Sequence, residues 1–208
     1  MLFAWGMGSY PVQLEVSSPP KFERIQLLIR FAIAVTLGWL GVTMGWLTCL
    51  LFLALPIIAA VVISTRGADY YLNTTGAKLW PALSWLLSFS AYMILLTDEV
   101  PVDSTRVRTE LHVSGRPTIG SALLRVVMSL PSVIALWFVG FVSCVLFVVA
   151  VFSILFTTHV PASILSFQAG YLRWQARLVA YHASLVEEYP PFSLHDPTTK
   201  LPTAMVNP

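Results

Sequence analysis

Two long apolar runs set the pattern of this chain. Phe31 to Ser64 and Val126 to Thr158 contain no Asp, Glu, Lys, Arg or His. At about 1.5 Å per helical residue, each run would form a rod of about 50 Å, against a hydrocarbon core of about 30 Å. The mismatch predicts that each run folds back as a transmembrane hairpin. The turns are expected near Gly41 to Gly45 and near Gly140 to Ser143, with Ile25 to Arg30 and Leu123 to Arg125 lending extra length. Arg30 and Arg125 would then snorkel to the headgroups. For the second run, one long tilted span preceded by an interfacial segment that ends near Pro131 fits about as well.

A short alternating segment precedes each run. Val12, Leu14 and Val16 oppose Gln13, Glu15 and Ser17, and Val107, Thr109, Leu111 and Val113 oppose Arg108, Glu110, His112 and Ser114. Both read as half-buried strands. Lone strands would leave backbone groups unpaired, so the two are expected to pair with each other. A further helix follows each run. In the second, Ile164, Phe167, Tyr171, Trp174, Leu178, Tyr181 and Leu185 make one apolar stripe, with Arg173 and Arg177 on another face. That is the pattern of an amphipathic helix in an interface.

These elements recur in order. At an offset of 89, Trp85, Ala91, Tyr92, Leu96, Glu99 and Pro101 meet Trp174, Ala180, Tyr181, Leu185, Glu188 and Pro190. The expected fold is therefore an all-α integral membrane protein of two tandem repeats. Each repeat has a short β-strand, a transmembrane helical hairpin and an amphipathic interfacial helix, and the strands pair at the cytoplasmic face. Repeat 1 is residues 1–101, with strand 11–17, hairpin 25–64 and third helix 78–97. Repeat 2 is residues 102–194, with strand 107–114, hairpin 122–157 and third helix 162–186. A polar tail, 195–208, follows.

Composition agrees with a membrane setting: 57% hydrophobic and 11% charged, where soluble domains carry about 45–50% and about 25%. Two spans per repeat place all 12 Lys and Arg on one face, as the positive-inside rule asks. Six spans, with the first third helix also crossing, is the alternative. The start, MLFAWGMGSYP, lacks the features of a cleavable signal peptide. Cys49 and Cys144 fall inside the runs and read as buried, reduced, structural thiols.

Catalytic patterns are scarce. His112, His159, His182 and His195 show no metal-ligand spacing, and no phosphate loop, dinucleotide fingerprint or nucleophile elbow occurs. No carboxylate lies in the apolar runs, which argues against a proton-driven pump. The candidate contacts are structural or lipidic. Arg173, Arg177 and Trp174 suit a lipid headgroup, Tyr189 and Phe192 suit interfacial anchors, and Gly41 and Gly45 suit close helix packing. Tyr189-Pro190-Pro191 is expected to stop the last helix.

Ile154-Leu-Phe-Thr-Thr, Pro161, LRWQARLVAY (172–181) and EEYPPFSL (187–194) resemble the signature of a family of bacterial integral membrane proteins with a domain of unknown function. Residues 122 to 194 carry the resemblance well, and residues 24 to 101 look like a divergent copy. The resemblance implies a bacterial inner-membrane location and no activity. The expected function is a non-enzymatic scaffold or accessory subunit without cofactors or nucleic acid. It would be multi-pass, with cytoplasmic termini, and its partners would be membrane lipids and other integral membrane subunits. The alternative is a carrier of lipid or a small amphiphile between the repeats, using the Arg173/Arg177 face.

Overall fold

The computed structural model describes residues 10–40, 44–101 and 106–194, the side chains of 44–48 excepted. Strands β1 (Val12–Val16) and β2 (Val107–Leu111) form one antiparallel pair, so the expected pairing is present. Val12, Leu14 and Val107 turn inward, whereas Glu15, Arg108 and Glu110 face out. Helices α1 (Arg24–Trp39) and α2 (Met44–Arg66) come next. A one-turn helix α3 (Ala68–Tyr70) and a π-helical turn (Tyr71–Gly76) lead into α4 (Ala77–Met93). After β2 the chain forms α5 (Ile119–Thr157) and α6 (Ala162–His182).

Neither expected hairpin forms. The second, 122–157, is a single helix of 39 residues that starts at a capping box, in which Thr118 Oγ1 accepts from Ser121 N–H at 3.1 Å. Pro131 deletes one backbone bond of that ladder without ending it. Gly140 and Ser143, where the turn was expected, serve contact instead. A β-carbon on Gly140 would lie 2.9 Å from the Tyr171 hydroxyl, and Ser143 Oγ donates to Gln168 Oε1 at 2.5 Å. Small residues in an apolar helix admit a neighbouring helix here rather than a reversal.

The first run, 25–64, holds two helices, α1 and α2, but does not fold back. Phe22 and Leu27 pack on Ala150 and Ile154, near the end of α5. Phe52 and Ser129 both bond to His182, and Ala59 and Ala60 cluster with Ala122 near the start of α5. Leu27 of α1 therefore lies near one end of α5 and Ala59 of α2 near the other, and the helical rise from Ala122 to Ile154 separates those ends by roughly 48 Å. Thus α1 and α2 run one after the other, antiparallel to α5. Two rods of similar length lie side by side.

The expected interfacial character of 162–186 also needs correction. Twelve of the 21 residues of α6 are buried, because the helix is covered on two faces. Gln168, Tyr171, Trp174 and Leu178 meet α5. Ala169, Leu172, Ala176 and Ala180 meet β1, β2 and α4 through Val12, Leu14, Val107, Leu87 and Ala91. At about 3.6 residues per turn these two sets lie on opposite sides of the helix. The result is three layers: α1, α2 and α5 outermost, then α4 and α6, then the sheet.

The outer layer is apolar over most of its exposed length, with Arg24 at the start of α1 and Arg66 at the end of α2 as its exposed charges. Trp39, Phe31, Leu53, Trp137, Phe141 and Phe156 are each more than 60% exposed. Two helices, Cys49–Arg66 within α2 and Ile119–Thr157, are long and apolar enough to cross a membrane, and they are only 22% and 17% buried. The core helix of a soluble protein would be mostly buried instead. Cys49 and Cys144 are exposed on this layer, contrary to the expected burial, because they sit on its outward side.

Candidate functional site

Both inner helices end alike. At the end of α4, Leu96 N–H donates to Ala91 O at 3.0 Å and Leu95 N–H to Tyr92 O at 3.3 Å. At the end of α6, Leu185 N–H donates to Ala180 O at 3.0 Å and Ser184 N–H to Tyr181 O at 2.9 Å. This is the Schellman arrangement, which normally puts glycine at the left-handed position. Here that position holds Leu95 (φ 64°) and Ser184 (φ 58°). A side chain in this region carries strain, so surrounding contacts must enforce it.

An arginine does so in each case. Arg30 Nε donates to Tyr92 O at 2.8 Å, and its Nη2 donates to Thr97 O at 2.6 Å and to Asp98 Oδ1 at 2.9 Å. Arg125 Nη1 donates to Tyr181 O at 2.8 Å and to Val186 O at 2.5 Å. The guanidinium carbons stand 4.3 Å and 4.7 Å from the Tyr92 and Tyr181 ring centroids. The two arginines are therefore not snorkelling: they are 4% and 6% exposed and point into the protein. Carbonyls left over at a helix end supply the partial negative charge that makes inward burial favourable.

A polar seam runs between α5 and α6. Ser129 Oγ lies 3.1 Å from His182 Nδ1, and His182 Nε2 donates to Phe52 O at 2.5 Å. The imidazole also stacks on Phe52, centroids 4.3 Å apart. Burial holds its pKa below the usual 6.5, Arg125 adds to the depression, and the Phe52 bond opposes it. Further along, Ser132 Oγ meets Tyr189 Oη at 2.6 Å, and Gln168 Nε2 donates to Ser143 O at 3.0 Å. A serine beside a histidine invites comparison with a nucleophile and base. Ser129 is fully buried and His182 nearly so, however, and the imidazole N–H is committed to a backbone carbonyl, so the pair joins three helices.

Tyr71, in the π-helical turn, donates to Ala183 O at the end of α6; burial pushes its pKa up to about 12. Gly76 gives the same cap room, since a β-carbon there would lie 2.7 Å from Leu185 Cδ2. An open cleft of about 430 Å³ lies beside Arg30, and Lys21, Glu23, Gln26, Asp98, Glu99 and Arg106 line it. Its acids and bases partly neutralise one another: Arg106 Nε is 2.7 Å from Glu99 Oε1.

The expected headgroup residues turn inward. Arg173 Nε donates to Leu14 O of β1 at 3.2 Å, Arg177 is 3% exposed with its guanidinium 5.6 Å from the Tyr10 ring centroid, and Trp174 is 5% exposed. The alternation that set these arginines apart from the apolar stripe marks contact with the sheet. The expected anchors fare differently, because Tyr189 and Phe192 are exposed and extend an aromatic cluster with Tyr181 and Trp174. Tyr189-Pro190-Pro191 is not the helix stop, since α6 ends at His182, with Ala183 as its cap residue, under the Arg125 cap. Gly41 lies outside the described residues, as do the side-chain surroundings of Gly45 and the tail 195–208.

The sequence reading missed the arginine caps and the Ser129/His182 contact. A signal for the first was present, since each apolar run begins beside one arginine and each third helix carries one tyrosine at the aligned place. No curated protein and no solved structure matches the chain. Residues 120–193, from the start of α5 to the end of the YPPFS segment, match a family described as a domain of unknown function, DUF4389.

Proposed function

We propose that this chain is a non-enzymatic scaffold or accessory subunit embedded in a membrane, built from two copies of one unit. The observation that carries the proposal is the outer layer: α1, α2 and α5 expose Phe31, Trp39, Leu53, Trp137, Phe141 and Phe156 while no charge lies on the outside of α5. Water would not tolerate such a surface. The bacterial inner membrane is the location that the resemblance of the second half implies.

The duplication is supported by matching contacts. Arg30 with Tyr92 and Thr97 repeats as Arg125 with Tyr181 and Val186, and left-handed Leu95 repeats as Ser184. A scaffold suits the interior better than a carrier does, because α4 and α6 meet through Leu87, Ala91, Ala176 and Ala180 in a closed cluster. Alkaline carbonate should leave the chain in the membrane pellet, and mild detergent at native expression should release it within a defined larger complex. Release by carbonate would refute the embedding, and a lone monomer in detergent would refute the scaffold.

A further inference from the structure

The geometry points to a protein that lies within one leaflet, with α5 and the α1–α2 rod parallel to the membrane plane and the sheet facing water. This rests on the membrane embedding proposed above and assigns the occupant of the apolar layer, the acyl chains of that leaflet. The apolar stripe itself is too long for an upright helix. Exposed apolar side chains on α5 run from Leu123 to Phe156, a rise of about 50 Å, whereas a bilayer covers about 30 Å. Upright, α5 would leave about 20 Å of that stripe outside the hydrocarbon. Lying flat, it leaves none outside.

The sheet supplies the second observation. Arg173, which bonds Leu14 of β1, is on α6 between Tyr171 and Trp174, and these pack on Gly140 and Leu136 near the middle of α5. The sheet thus stands over the midpoint of the long helix, across α6 from it. An upright α5 would put Glu15, Arg108, Glu110 and the edges of a two-stranded sheet at the centre of the bilayer. Lipid-exposed sheet edges do not occur there, and unpaired charges are excluded for the same reason.

Symmetry supplies the third. At an offset of 95, Arg30 answers to Arg125 and Leu14 to Thr109. Leu14 pairs with Thr109, its own counterpart, while Val12 pairs with Leu111 and Val16 with Val107. Each outer pair is the other's image, which is the self-complementary pattern of a two-fold axis. Contacts to the inner helices obey it too: Thr109 Oγ1 donates to Ser84 Oγ, and Leu14 O accepts from Arg173, 89 residues beyond Ser84. The buried side chains of both strands face the same way, so the axis stands perpendicular to the sheet. Along it the layers pass from charged sheet through α4 and α6 to apolar rods. A polarity gradient along one axis fixes the membrane normal, and the rods lie across it.

The test uses the full chain with Cys49→Ser and Cys144→Ser, carrying single reporters Glu15→Cys, Gly120→Cys or His159→Cys. All three positions are exposed, and Gly120 has open space around it. In sealed membrane vesicles of each orientation, an impermeant maleimide should modify all three from the same side. Modification of Gly120→Cys and His159→Cys from opposite sides would overturn the proposal, because α5 would then cross. Spin labels at Leu123, Phe141 and Phe152, which share one exposed face of α5, should report one common depth in lipid. A depth that changes steadily from Leu123 to Phe152 would mean an upright helix, and loss of oxygen contact at all three would mean that protein covers the layer. Release by carbonate, by contrast, would sink the embedding on which the proposal rests.

Discussion

Replacing Arg125 with methionine isolates the cap that ends α6. The wild-type guanidinium gives two hydrogen bonds, to Tyr181 O at 2.8 Å and to Val186 O at 2.5 Å. Bonds that involve a charged group contribute about 1.5–3 kcal/mol each, and stacking on a desolvated tyrosine adds about 2 kcal/mol. Burying the charge offsets several kcal/mol of that gain. Methionine relieves the offset but leaves the Val186 carbonyl without this donor, at about 1–3 kcal/mol. The net expectation for Arg125→Met is a loss of about 3 kcal/mol. For a chain of this size that lowers Tm by about 10 °C. Circular dichroism of the protein in mild detergent would measure it. Arg125→Lys, which keeps the charge but not the planar fork, should lose about half as much. A Tm within about 2 °C of wild type for Arg125→Met would refute the reasoning, since the left-handed Ser184 would then need no arginine. Arg30→Met at the other end of the structure should add to it independently.

Glycine substitutions should separate by location. Gly170→Ala places a β-carbon 2.5 Å from Leu194 O and should cost about 1–3 kcal/mol, whereas Gly38→Ala meets nothing within 4 Å and should gain up to about 1 kcal/mol of helix propensity; thermal melts of the two variants check the sign. His182, held below 6.5 in the folded chain, adds no pH dependence above that value. As pH falls below 6.5 the unfolded chain takes the proton first, so stability should decline, and His182→Gln should flatten Tm against pH over that range. Cys49 and Cys144 are exposed on the layer placed in lipid, where a thiol cannot ionise, so a maleimide should leave both unmodified in intact membranes and modify both after unfolding in SDS, with the mass shift read by intact mass spectrometry.

Much of this protein is written locally. The alternation around Leu14 and Thr109 determined two strands, and their unpaired backbone groups required that they meet. Charge-free runs determined long apolar helices, and the spacing of Trp85, Ala91 and Tyr92 against Trp174, Ala180 and Tyr181 marked equivalent places in two helices. Each rests on nearest-neighbour chemistry, a period of two or of 3.6, or identity at a fixed offset. Glycine misled the reading of the second run. A glycine can open a turn or admit a neighbour, and only the position of Tyr171 against Gly140 decides between them.

The direction of side chains was decided at a distance. Arg30 and Arg125 looked like groups reaching for headgroups, and Arg173 and Arg177 like a wet helix face. Their partners are backbone carbonyls, of Tyr92, Thr97, Tyr181, Val186 and Leu14. Every residue has a carbonyl, so no residue type announces which of them a charge will find. Whether a 39-residue apolar helix stands or lies is likewise not a property of that helix. It depends on the charged sheet that the fold sets over its midpoint, joined from strands 95 residues apart, because only the whole molecule has the polarity gradient that a membrane can orient.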